Sequence, residues 1–453
     1  MFKKVASYLV KNTRKLLKKT FGGSASKVFK GMATMALGSG VAKIIGIIAI
    51  PILTRLYTPE DFGTLAVFTA VISILTPIVT LRYVLSLPLP RHDGMAFNMI
   101  ILTVGLMFST ILIISLLLWW VGQPILNYLD MEEVAPLWWL ISLGLFAGTS
   151  YEILTLWATR KRNYRVIAKT NVLQSITGSL AKIFLGLLAI KPYGLLVGQI
   201  ISQSGGTSNL LRAFFNDFRI NWRYLRWSRI KKGLCLYRGF PFYRVPSQFL
   251  LIAAQQAPML FVASFFGVAV AGQLAIAKML VSMPVTFISG ALTKAAYGEL
   301  ASISKSNPLE VKNIFNDITK KLLIVSAIAC IGVFSLAPIV LPAALGEEWE
   351  QAGTFASFLG IYLIATIIAV PMPAFVNIFD RQKEFLIWNI LRVLIVMLLI
   401  SVVKKAEFSP EGFVLSYGIF MLLFQTGVIV RVMFILKSEV DSHNCLDINE
   451  RKL

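Results

Sequence analysis

Apolar residues fall in twelve successive runs along this chain, each about 20 residues long and separated by short polar stretches. The runs lie at 31–54, 62–81, 97–121, 137–158, 171–190, 193–211, 245–265, 270–293, 322–343, 352–376, 385–403 and 412–434. A helix rising 1.5 Å per residue needs about 20 residues to cross a hydrocarbon layer about 30 Å thick. No run alternates with a period of two, and open sheet edges cannot be satisfied in lipid. The pattern predicts an all-α polytopic membrane protein with twelve transmembrane helices.

The basic residues fall on alternate sides of these runs. With both termini cytoplasmic, the cytoplasmic segments hold 36 of the 44 Lys and Arg residues, and the external loops hold only Arg55, Lys191, Lys404 and Lys405. Acids do not share the bias. Ten are external, among them Asp130, Glu132, Glu133, Glu347, Glu348 and Glu350. Lys/Arg asymmetry is the orientation signal, so a twelve-span chain with both ends inside is expected.

Composition leaves little room for anything else. At 57% hydrophobic and 15% charged, 453 residues hold no sizeable soluble domain. A net charge of +22 would suggest nucleic acid in a soluble protein. Here the basic residues flank membrane spans, so anionic lipid headgroups are the expected partners and nucleic acid is not. Cys235, Cys330 and Cys445 form no pair or CxxC motif, and His92 and His443 lie apart, so no disulfide framework, metal or cofactor is expected. Residues 1–21 place Phe2, Val5, Leu9 and Leu16 among seven lysines and arginines. That composition describes a basic amphipathic helix on the inner leaflet, or a disordered basic tail, rather than a cleaved signal.

The chain also echoes itself. Pro51, Gly63 and Pro77 recur as Pro258, Gly272 and Pro284, with the prolines 26 residues apart in both copies and the glycine two positions later in the second. Gly63-Thr-Leu-Ala matches Gly272-Gln-Leu-Ala, and Asn171-Val-Leu-Gln matches Asn389-Ile-Leu-Arg. The copies are six spans apart, an even number, so both halves share one topology and are expected about an axis along the membrane normal. The organisation that follows is a basic amphipathic cytoplasmic segment (1–30), an N-lobe (31–211), a basic linker (212–244), a C-lobe (245–434) and a cytoplasmic tail (435–453).

Specific strings then carry a resemblance. Gly38-Ser-Gly-Val-Ala-Lys-Ile-Ile-Gly, Pro51-Ile-Leu-Thr-Arg-Leu-Tyr-Thr-Pro-Glu-Asp-Phe-Gly63, Thr80-Leu-Arg-Tyr and Leu87-Pro-Leu-Pro-Arg91 resemble the opening of Wzx-type polysaccharide flippases. These belong to the multidrug/oligosaccharidyl-lipid/polysaccharide (MOP) exporter superfamily. The resemblance implies two six-helix lobes in a V, a central cavity lined mainly by spans 1, 2, 7 and 8, and an undecaprenyl-pyrophosphate-linked glycan as substrate. It implies service to O-antigen or surface polysaccharide assembly, with a polysaccharide polymerase and assembly proteins as candidate partners.

Charges inside the spans are the residues' own statement about the substrate. Lys43, Lys182, Lys278 and Arg392 face a single acid, Glu152. Each costs a few kcal/mol in a bilayer unless it meets water or a partner. An excess of positive charge suits a pyrophosphate or acidic sugar and opposes a cationic drug. Lys43 and Lys278 fall on spans that line the cavity in the resembled family, which makes them candidate substrate ligands. Lys182 and Arg392 are candidates for the same role or for a structural pairing with Glu152, and Arg392 could instead snorkel to headgroups. Glu152 is read either as a proton-coupling carboxylate or as half of a structural ion pair, and coupling to H+ or Na+ stays open. Arg55, Arg82 and Arg91 read as helix-end anchors. Pro51, Pro77, Pro258 and Pro284 are candidate hinges or static kinks.

No paired carboxylates occur within a span, and neither HExxH nor a phosphate-binding GxxxxGK[ST] is present, so the chain is not expected to be an enzyme. A lipid-linked oligosaccharide flippase working by alternating access is the favoured reading. The alternatives are a cation-coupled multidrug exporter, for which acids would be expected in spans 1 or 7, and a lipid II flippase, usually two helices longer.

Overall fold

The computed structural model describes residues 24–128, 138–286, 308–372, 375 and 382–450, and among them every regular element is helical. In the first half lie α1 (Ser24–Leu56), α2 (Pro59–Val79), α3 (Asp93–Tyr128), α4 (Trp138–Arg160), α5 (Tyr164–Leu187) and α6 (Tyr193–Ser204). The connection contains α7 (Thr207–Trp222) and α8 (Trp227–Leu236). The second half holds α9 (Val245–Phe265), α10 (Val268–Pro284), α11 (Pro308–Leu345), α12 (Glu350–Gly360), α13 (Leu363–Ala369), α14 (Gln382–Lys405) and α15 (Pro410–Glu450).

Among the described residues each of the twelve apolar runs is carried by helix, but only eight of these helices are long and apolar enough to cross a membrane. The other four depart for identifiable reasons. Helix α5 carries Lys169, Asn171, Gln174, Ser175, Thr177 and Lys182, which lower its hydropathy. Helix α6 stops after 12 residues at Gly205–Gly206, where Gly206 takes φ +87. A side chain is strained in that backbone region, and a Cβ there would also crowd Thr170. Helices α12 and α13 form one run bent by 58°, and α10 is a shorter apolar helix.

Other boundaries follow local chemistry. Thr58 caps α2 with a capping box, its hydroxyl accepting from the Asp61 N–H while the Asp61 carboxylate accepts from the Thr58 N–H. Pro59 follows at the first helical position, where its missing N–H costs nothing. Helix α1 begins at least seven residues before the expected start, so Lys27 and Lys30 belong to it. Helix α15 runs on to Glu450, without a break at the expected tail. The amphipathic reading of residues 1–21 and the acids Asp130, Glu132 and Glu133 lie outside the described residues. Pro51, Pro77 and Pro258 sit inside their helices, and Pro284 ends α10.

Packing repeats between the halves. In the first, α1 packs on α5, α5 on α6, α3 on α4, and α4 on both α2 and α6. In the second, α9 packs on α14, α14 on α15, α11 on α12, and α12 on both α10 and α15. Buried apolar side chains form two clusters. One runs from Phe68 to Phe214 within the first half. The other unites the second half with Ala49 and Leu53 of α1, Tyr57, and Phe62, Ala66 and Val67 of α2. Beyond Val67, no fully buried residue of α2 joins that second cluster. The halves are therefore joined around the α1–α2 turn, and further along α2 each has its own core. Outward faces stay apolar, as Ile44 and Ile48 of α1, Leu112 and Leu116 of α3, and Leu394 and Leu398 of α14 are exposed. Apolar exposure on this scale is the surface of an integral membrane protein.

Candidate functional site

At the junction, α2 and α10 cross backbone to backbone. A Cβ on Gly63 would overlap the Val268 carbonyl, and one on Gly272 would overlap the Pro59 carbonyl. Only glycine allows this approach. Trp349, fully buried between α11 and α12, seals the same place from the second half. Its ring meets Phe62 edge-on at 5.2 Å, and its indole N–H donates to the Thr54 carbonyl at 3.4 Å. Gln273 holds that segment in place, donating to the Glu348 carbonyl and accepting from the Ala352 N–H at 2.9 Å. Glu347, Glu348 and Glu350 surround the closure, so it marks the acidic end of the molecule.

Towards the other end the two helices part. The face of α10 that is buried at Gly272 becomes exposed at Met279, Ser282 and Thr286. Lys278 stands on the flank of that face, half-buried. Six and ten residues beyond Gly63 on α2 come Thr69 and Ser73; six and ten beyond Gly272 on α10 come Lys278 and Ser282. Thr76 extends the stripe on α2. All three α2 hydroxyls donate to carbonyls one turn back, to Ala66, Thr69 and Ile72, and all three residues remain part-exposed. A polar stripe on a membrane helix is stable where it faces water or polar cargo. Sequence reasoning missed these hydroxyls, although their i, i+4, i+7 spacing was there to be read.

Lys43 is also exposed. Exposed Leu37, Val41, Ile44, Ile48 and Ile52 form one lipid-facing stripe of α1, while Gly38, Ala42, Ala49 and Leu53 face inward. At about 100° per residue, Lys43 sits roughly 140° from the lipid stripe and roughly 110° from the inward one. It projects along a third side of the helix. Neither Lys43 nor Lys278 makes a hydrogen bond or ion pair among the described residues.

The remaining predicted site residues are lodged within their own halves. Lys182 donates to Gln199 of α6 at 2.8 Å, and its backbone carbonyl accepts from the buried Tyr57 hydroxyl at 2.8 Å. Arg392 lies over the Phe424 ring at 4.9 Å, between α14 and α15, with its Nε buried and without a hydrogen-bond partner among the described residues. Glu152 pairs with neither. Its partner is Arg82 at 3.1 Å, which sequence reasoning had read as a helix-end anchor. Arg82 could be drawn inward because Leu81 and Arg82 both take positive φ, turning the chain back under α2.

The end away from the closure is basic. Arg160 and Lys161 clamp Asp93 at 2.8 and 2.7 Å, and Arg160 also donates to the carbonyls of Pro88 and Pro90. Lys161 reaches Asp217 as well, at 3.2 Å. Burial opposes the charge on Lys161, but its two carboxylate partners outweigh burial and hold its pKa above the ordinary lysine range. No three His, Cys, Asp or Glu side chains gather into a metal site among the described residues.

Paired helical halves, joined at one end and carrying polar flanks toward the other, give this chain a fold found among solved membrane transporters. The fold is similar to that of a multidrug resistance MATE family transporter in an inward-facing conformation, with a TM-score of 0.65, 13% identity, and coverage of 90% of this chain and 99% of that one. It is also similar to the lipid II flippase MurJ in an inward closed conformation, with a TM-score of 0.68, 11% identity, and coverage of 92% of each chain. The chain belongs to the polysaccharide biosynthesis protein family, whose profile matches residues 52–354. It is 22% identical over 335 residues to the succinoglycan biosynthesis transport protein ExoT of Rhizobium meliloti (strain 1021). That match spans 73% of this chain and 64% of ExoT, so the chain spans just under two thirds of that relative's length. The Wzx-type resemblance drawn from residues 38–91 is thereby borne out.

Proposed function

We propose that this protein is a flippase that moves an undecaprenyl-pyrophosphate-linked oligosaccharide across the bacterial inner membrane by alternating access, through a twelve-span, two-lobed V. The observation that carries this reading is the one-ended closure. The halves meet at Gly63, Gly272 and Trp349, and the flanks bearing Thr69, Ser73, Lys278 and Ser282 part toward the basic end. In this orientation the basic end is cytoplasmic and the conformation opens inward. Lys43 and Lys278, both without a hydrogen bond or ion pair among the described residues, attract the pyrophosphate and glycan headgroup, while hydroxyls of α2 and α10 hydrogen-bond sugar. The polyprenyl tail stays in lipid. Rocking of the halves then opens the acidic end and closes the basic one.

A multidrug exporter driven by cations would need an in-span acid free to bind the ion. The in-span acid here, Glu152, is engaged by Arg82. A lipid II substrate is separated from other polyprenyl-pyrophosphate glycans by direct competition. The test is flipping of a fluorescent polyprenyl-pyrophosphate glycan in reconstituted vesicles, with lipid II and a cationic dye as competitors. Saturable glycan flipping, inhibited by neither, is expected. Dye efflux without glycan flipping would overturn the reading.

A further inference from the structure

We infer that the outer faces of α7 and α8 form a binding surface for anionic phospholipid headgroups, a site separate from the transport path. The argument starts from the three faces of α7. Leu210, Phe214 and Asn221 are buried against the first half. Leu211, Phe215 and Trp222 form an exposed apolar stripe about 100° round, with Phe215 63% and Trp222 61% exposed. Arg212, Arg219 and Arg223 make a third, exposed stripe beside the apolar one. A helix with a docked face, an apolar face and a basic face fits the boundary between acyl chains and headgroups.

Helix α8 continues the surface. Its Ile230 and Gly233 are buried, while Trp227, Lys231, Leu234 and Arg238 are exposed, with Lys231 Nζ 5.8 Å from the Trp227 ring centre. Tryptophans beside lysines and arginines are the usual composition of a membrane–water boundary. Residues 212–244 contain nine Lys or Arg and one acid, Asp217, which is already bound by Lys161. The surface thus presents positive charge with almost no internal compensation, complementary to acidic headgroups.

Position agrees with chemistry. Helix α7 follows α6 across the Gly205–Gly206 break, and α6 packs on α4, one of the helices long and apolar enough to cross a membrane, so the apolar stripe lies beside the spans of the first half. The surface is held to the first half rather than dangling from it. Asn98 of α3 donates to the Tyr224 carbonyl and accepts from the Arg226 N–H, both at 3.0 Å, and the Tyr83 hydroxyl donates to the Leu234 carbonyl at 3.0 Å.

Native mass spectrometry after release from mixed phosphatidylglycerol/phosphatidylcholine nanodiscs tests the site. The Arg212→Gln/Arg219→Gln/Arg223→Gln protein should retain about twofold less phosphatidylglycerol, while Arg→Lys at the same three positions should retain it all. Lys404→Gln/Lys405→Gln, at the opposite end, should match the parent. Undiminished phosphatidylglycerol on the Gln triple would overturn the inference and turn attention to an acidic protein partner. A second measurement is independent of the arginine variants. Brominated phosphatidylglycerol should quench the parent more than Trp222→Phe/Trp227→Phe, and equal quenching would also overturn the inference.

Discussion

Gly63 and Gly272 occupy matching positions in the two halves and touch each other, a Cβ on Gly272 falling 2.8 Å from the Gly63 nitrogen. The contact explains why both positions are glycine. Two halves related by an axis between them bring equivalent residues together where their helices cross, so each copy must vacate the same space.

Gly63→Val should therefore separate α2 from α10. Overpacking a close crossing costs about 1–3 kcal/mol, and the strain is relieved by opening the acidic end. A cysteine placed at the buried Ala66 should become reactive to an impermeant maleimide in this background and stay protected in the parent. Protection in both would show that the glycines do not control the closure.

Trp349 should be the most costly single residue of the closure. Trp349→Ala removes a fully buried ring and its donor to Thr54, and is expected to cost about 3–5 kcal/mol. Trp349→Phe keeps the contact with Phe62 and loses only the hydrogen bond, about 0.5–1.5 kcal/mol. Thermal unfolding in detergent should rank parent, Phe and Ala in that order.

For Arg82 and Glu152 a double-mutant cycle is the measurement. Removing one member of a buried pair leaves the other uncompensated, which costs about 3–5 kcal/mol in full burial, and less here because Glu152 is partly exposed. Arg82→Met and Glu152→Met should each destabilise, and the double variant should recover much of the loss. Glu152→Gln that leaves stability intact but abolishes gradient-driven flipping would instead assign Glu152 to proton coupling.

The four in-span cations should divide into two pairs. Lys43→Glu and Lys278→Glu are expected to cut glycan flipping about tenfold or more at normal protein levels, each loss being at least about 1.4 kcal/mol of binding. Lys43→Arg should retain part of the activity, since charge persists but shape changes. Lys182→Met and Arg392→Met should chiefly lower thermal stability. Equal flipping losses from all four would mean that Lys182 and Arg392 reach the cargo as well.

Much of the fold was legible because lipid imposes one rule on every span. Apolar runs gave the helices, and the echo of Pro51–Gly63–Pro77 in Pro258–Gly272–Pro284 foretold which helices pack alike. Less legible were features set by tertiary contact. Hydropathy alone did not reveal that α6 breaks at Gly206, because a single αL glycine leaves the apolar average unchanged. Arg82 read as an anchor because its inward turn depends on two positive φ angles that sequence spacing does not encode. Trp349 lies among Glu347, Glu348 and Glu350, and nothing in that local sequence marks it as buried; its burial depends on α1 and α2, almost three hundred residues earlier. Lys43 and Lys278 could be found as charges in apolar runs, but the Thr69–Ser73–Thr76 stripe was masked by the hydrophobic residues around it.

Helix α15 has 41 residues, about 60 Å of rod, roughly twice the thickness of a hydrocarbon layer. Its apolar run ends near residue 434, so the last 16 residues, about 24 Å of rod, continue beyond it as an extension of the second half. A tilt of about 10° would carry the far end of that extension through roughly 4 Å. With the rocking proposed above, a label at Lys437 would register the motion as a displacement near the end of that run, where other proteins could sense the proposed cycle without touching the cargo.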